Sequence, residues 1–113
     1  MRQPSAALTA AEFQVLIALA DGEKHGYAIG KEIAGRTDGK VQLRAATLYT
    51  VIKRLLEYGF IDEVAARPDP ELDDERRRYY RLTAHGRRVA EGEALRLEAT
   101  AKQARAKLRL RKV

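Results

Sequence analysis

The chain has 113 residues, 45% of them apolar, and a formal charge of +6, which allows one compact domain rather than two. It contains no Cys, so disulfide scaffolds and thiolate metal sites are excluded. Its longest apolar run, Val15 to Ala20, falls far short of the roughly 20 residues of a membrane span. Residues 1–83 hold 13 Lys and Arg against 13 Asp and Glu. Residues 84–113 hold 9 against 3, so the whole excess lies in the tail.

Thr9-Ala-Ala-Glu12 has the spacing of a capping box, in which a hydroxyl and a carboxylate satisfy each other's backbone amides at a helix start. Phe13, Leu16, Ile17 and Ala20 follow at helical spacing and predict one apolar stripe, ended by Asp21-Gly22. A second helix is expected from His25 to about Arg36, with Ile29 and Ile33 one turn apart, and then a short extended piece, Val41 to Leu43. From Arg44 to Tyr58, Leu48, Val51, Ile52, Leu55 and Leu56 share one arc of a helix. Thr47, Tyr49, Thr50, Lys53, Arg54 and Glu57 share the other, a face with two cations and one acid. Gly59 is the expected stop. Phe60–Ala66 and Arg76–Leu82 read as strands joined by a loop with two prolines, so they form a hairpin. Thr83 is expected to cap a long helix reaching about Arg109.

Three helices and a two-stranded wing, in this order, predict a mainly α fold with a small β-hairpin. This is a winged helix-turn-helix, whose third helix is the natural reader of a DNA major groove. Residues 1–83 would be the DNA-binding domain, and 84–113 a dimerisation helix of the same structural unit. The tail carries Ala90, Ala94, Leu97, Ala101, Ala104 and Leu108 at spacings of 4, 3, 4, 3 and 4, a heptad seam of mostly small residues that favours a second copy of the helix. Leu95 and Leu110 lie off the seam and are expected to cover the N-terminal helix.

The sequence resembles the PadR family of transcriptional regulators. The resemblance rests on His25-Gly26-Tyr27, on Thr47-Leu48-Tyr49 with Lys53-Arg54-Leu55 and Gly59, and on Arg76 to Thr83 with Gly86. It covers about residues 8–90 and is closest to short members that end in a single helix. Ala45-Ala46 departs from it, standing where the family often has Pro or Gly. The resemblance implies a homodimeric DNA-binding repressor, and some members hold flat aromatic effectors at the dimer interface; the Cys-free composition suits a reducing cytosol, and a cytoplasmic protein is expected. No Trp is present and the seam is rich in Ala, so the sequence shows no aromatic slot, while a small-molecule effector of unknown kind in a dimer cavity stays open.

Base edges in DNA are read by hydrogen-bond donors and acceptors. Tyr49, Thr50 and Lys53 are expected nearest the bases, with Thr47 on the same face and Arg44 and Arg54 nearer phosphates. Tyr49 has a second reading as partial core. Arg76, Arg77 and Arg78 of the wing either face phosphates, positioning the protein without specifying sequence, or pair with the five acids from Asp69 to Glu75. His25 reads as a cap of the second helix, and with Tyr27 it is a candidate phosphate contact. With His25 and His85 the only histidines, neither a metal site nor a cofactor nor a catalytic constellation is expected, and the chain is not read as an enzyme. A protein-interaction adaptor with a basic tail is the alternative to a DNA-binding regulator.

Overall fold

A computed structural model describes residues 7–64 and 78–109. The elements are α1 (Ala10–Ala18), β1 (Lys24–His25), α2 (Gly26–Arg36), α3 (Ala45–Tyr58), β2 (Ile61–Val64), β3 (Tyr79–Leu82) and α4 (Ala84–Leu108). They form the expected winged helix-turn-helix with a long C-terminal helix.

Local caps set most of the boundaries. Thr9 and Glu12 complete the capping box of α1, with Thr9 N donating to Glu12 Oε1 at 2.8 Å and Glu12 N to Thr9 Oγ1 at 3.1 Å. His25 caps α2 through Nδ1, which accepts from Ala28 N at 3.0 Å. Gly59 ends α3 in the left-handed region, at φ 77°, which only glycine adopts without cost. Thr83 caps α4, and its hydroxyl accepts from Gly86 N at 2.9 Å.

Two expectations about the strands and the helix register are corrected. The third strand is not Val41–Leu43, which carries no strand pairing. It is Lys24–His25, which pairs antiparallel with Tyr79 and Tyr80 and gives a sheet in the order β1-β3-β2. Val41 and Leu43 instead pack on the core as irregular chain, and Thr37 Oγ1 accepts from Val41 N at 3.0 Å. In α1 and its C-cap the buried residues are Glu12, Val15, Leu16, Ala18 and Leu19, so the stripe Glu12, Val15, Leu16, Leu19 runs one residue ahead of the predicted one, and Ala20 is exposed. A carboxylate scored as polar hid this register. Glu12 is buried because its oxygens are satisfied, so its position on the apolar face costs little. The hairpin is seen as Ile61–Val64 against Tyr79–Leu82; its predicted tip lies outside the described residues.

The core joins Val15 and Leu16 of α1 and Leu19 at its C-cap to Ile29 and Ile33 of α2, Leu48, Val51, Ile52 and Leu55 of α3, Phe60, and Ile61 and Tyr80 of the sheet. This packing locks one side of α3 and leaves the other to solvent. The start of α4 is tied down as well. Phe60 meets the His85 ring edge at 5.1 Å, Arg87 Nη2 donates to Ala20 O at 2.9 Å, and Val89 and Ala90 pack on the core. Beyond Glu93 the helix leaves the domain. Leu95 is 67% exposed and Leu108 66%, so Leu95 does not cover α1 as expected; Leu110 lies outside the described residues. A helix of 25 residues spans about 37 Å, more than a core this size can flank.

Candidate nucleic-acid interface

The outer arc of α3 presents Thr47, Thr50 and Lys53, all exposed, at three-residue intervals along one face. Arg44 stands exposed at the N-cap and makes no side-chain cap, so the first amides of α3 are left open toward that end. Thr50 donates its hydroxyl proton to Ala46 O at 2.9 Å, which leaves the oxygen as an outward acceptor. Beside this face runs a shallow cleft of about 430 Å³ between the start of α1 and α3, lined by Thr47, Thr50 and Arg54 among others.

The start of α2 adds a second group of side chains. Tyr27 is exposed and stacks on His25 at 6.3 Å, with Lys31 Nζ 5.5 Å from the Tyr27 ring centre. His25 also meets Tyr79 edge-on at 5.4 Å, so one imidazole links β1, β3 and α2. A family model, the transcriptional regulator PadR-like family, matches residues 15–92, which hold both groups and the sheet. The chain belongs to this family.

A transcriptional regulator from Clostridium thermocellum, Cth-833, matches this PadR-like chain with a TM-score of 0.72 and 28% identity, covering 84% of this chain and 89% of its own. Bacillus subtilis PadR, solved in complex with operator DNA, matches with a TM-score of 0.66 and 21% identity. That match covers 76% of this chain and 48% of the other, a likeness of fold. An uncharacterized protein from Lysinibacillus sphaericus is 34% identical over 73 residues, 65% of this chain, and the match spans 64% of that protein's length.

The remaining candidates fall in different settings. Tyr49 is half-buried and packs against the core, and a Cβ added to Gly26 would lie 2.3 Å from its hydroxyl oxygen, so the ring lies over the start of α2. Arg54 is 34% exposed, and its Nε donates to Glu12 Oε2 at 3.0 Å across 42 residues of sequence. Arg78 is exposed just before β3; Arg76 and Arg77 lie outside the described residues. On α4, Ala90 is half-buried in its own domain, Ala94, Ala101 and Leu108 are exposed, Leu97 is 40% exposed, and Ala104 is half-buried. Among the described residues no cluster of three or more His, Cys, Asp or Glu is arranged to hold a metal, and no helix is long and apolar enough to cross a membrane.

Sequence reasoning missed the tertiary roles of Glu12 and Gly26. Glu12 was visible only as a local cap, and nothing in the pattern pointed to its distant arginine. Gly26 carried no signal that an aromatic ring needed its missing side chain.

Proposed function

We propose that this PadR-like regulator is a homodimeric repressor that lays α3 in the major groove of a duplex operator. The observation that carries this reading is the exposed row Thr47, Thr50 and Lys53 on a helix whose opposite side is fixed in the core. One α-helix fits a major groove, and lysine reads guanine edges, while threonine pairs with several bases or touches a thymine methyl. The operator complex of Bacillus subtilis PadR, which shares the fold, supports it. Arg44 and Arg54 flank the row and take phosphates, as do His25 and Tyr27 at the start of α2 and the wing arginines Arg76, Arg77 and Arg78. Tyr49 reaches a base edge from the margin of the core. Residues 1–83 bind DNA and 84–113 dimerise.

Exposed Ala94, Leu97, Ala101 and Leu108, projecting beyond the domain, support the dimer. A second copy of α4 covers this stripe with close helix approach. In this arrangement the basic tail attracts DNA at long range, while the contacts themselves come from an almost neutral region.

Titrating promoter and random fragments in gel shifts, over a salt series, tests the reading. A sequence-selective complex whose affinity falls steeply with salt is expected. Lys53→Ala should weaken and relax selective binding, whereas Arg78→Ala should weaken all sequences alike. No selective complex at physiological salt and micromolar dimer would defeat the proposal.

A further inference from the structure

We propose that Glu12 is a positioning residue for DNA binding, and that it sets Arg54 in advance for a phosphate of the duplex. The proposal rests on the reading of α3 as the DNA-facing helix. Glu12 is 3% exposed, and a carboxylate taken that far from water must be paired. Its two oxygens are used separately. Oε1 accepts from Thr9 N at 2.8 Å, which anchors the carboxylate to the start of α1. Oε2 accepts from Arg54 Nε at 3.0 Å, which reaches across to α3.

That bond leaves the far end of the guanidinium available. Neither Nη of Arg54 bonds another described residue, and Arg54 lines the cleft that Thr47 and Thr50 share. An arginine held by Nε keeps four N–H donors in a planar fork, the geometry that suits a phosphate. A free arginine side chain loses about 2 kcal/mol of rotamer freedom when it is fixed. Glu12 imposes that ordering on folding, before DNA arrives, so less of the contact is lost to ordering on binding. Lys53, one position earlier on the helix and exposed, has no such anchor among the described residues.

A charge count alone predicts the reverse. Removing the Glu12 charge makes the protein one unit more positive and should tighten DNA binding. The positioning role predicts weaker binding from the same change. A glutamine supplies one acceptor oxygen where two donors now arrive, so the cap or the Arg54 anchor is lost.

The test uses full-length protein with Glu12→Gln, Arg54→Lys and the double variant. Each is assayed on promoter and random duplex over a salt series, at a temperature where circular dichroism shows it folded. Arg54→Lys keeps the net charge but cannot hold Glu12 through Nε and offer a fork as well. Both single variants are expected to lose about tenfold in affinity on both DNAs, the scale of one charge-assisted hydrogen bond. Glu12→Gln should also flatten the salt dependence by up to about 0.9 in log–log slope. The double variant should be no weaker than either single one. If Glu12→Gln binds as well as wild type or better while folded, Glu12 is only structural or only neutralising, and the proposal fails. Should Glu12→Gln not fold, wild-type affinity in Arg54→Lys overturns it, and a tenfold loss at constant charge supports it. A wild-type protein without salt-dependent duplex binding would sink the DNA reading itself. Wild-type binding with undisturbed variants sinks only the role of Glu12.

Discussion

Gly86→Ala should unhinge the long helix from the wing. A Cβ at this position would sit 1.9 Å from Phe60 O, 2.7 Å from its carbonyl carbon and 3.0 Å from its Cα, all of them backbone atoms. Ordinary C···O approaches are about 3.3 Å, so the carbonyl and the helix must part by about 1.4 Å. Two hydrogen bonds cross this junction: Thr83 N donates to Phe60 O at 3.0 Å, and Thr83 Oγ1 to Gly59 O at 2.8 Å. Losing both costs about 2 kcal/mol, and leaving the Phe60 carbonyl unpaired adds about 1–3. Alanine returns about 1 kcal/mol of helix propensity. The net loss is about 3 kcal/mol, or about 12 °C in Tm for a chain of this size. Thermal melts by circular dichroism at fixed protein concentration give the answer. Gly92→Ala is the matched control in the same helix: a Cβ there has no neighbour within 4 Å, so the variant should gain up to about 1 kcal/mol. Equal Tm shifts for the two variants, or a neutral Gly86→Ala, would refute the reasoning from the close approach.

Gly26→Ala should cost less than Gly86→Ala, because the atoms it meets belong to the Tyr49 side chain, which can swing away; Tyr49→Leu in the same background should recover stability in a double-mutant cycle. Thr9→Ala removes one half of the α1 capping box and should lower stability by about 1 kcal/mol in a denaturant titration, with no change expected if the cap were idle. If the proposed dimer forms through α4, Leu97→Asp should leave the winged domain folded but shift sedimentation toward monomer; a monomeric wild type, or an unchanged mass in the variant, would overturn that dimer. The Glu93 carboxyl is held below its ordinary value of 4.5 by hydrogen bonds from Arg96, Nη2 at 2.5 Å and Nε at 2.9 Å, which outweigh its burial. A lowered carboxyl pKa stabilises the fold above the ordinary carboxylate range, and that contribution disappears as pH falls through the lowered value. Arg96→Gln should therefore raise the Glu93 pKa in an NMR titration and reduce the acid-side change in stability; an identical titration in both proteins would exclude Arg96 as the cause.

The features legible in the sequence are the ones that depend on neighbours within a turn or two. Thr9, His25 and Thr83 cap their helices through an amide three residues on, and Gly59 ends α3 because it alone accepts a left-handed backbone there without cost. The two arcs of α3 follow from helical periodicity, so its core face and its exposed Thr47, Thr50 and Lys53 could be placed before any coordinates. Tertiary structure alone decided what joins distant segments. Lys24–His25 became a strand because β3 offered an edge to pair with, although two residues have no strand signal of their own. The stripe of α1 shifted by one residue because Arg54, 42 positions away, made a buried Glu12 affordable. Tyr49 was drawn half into the core because Gly26 left room for its ring. Periodicity describes which way a side chain faces, and long-range pairing decides what it meets there; the second depends on partners whose separation along the chain leaves no repeating mark.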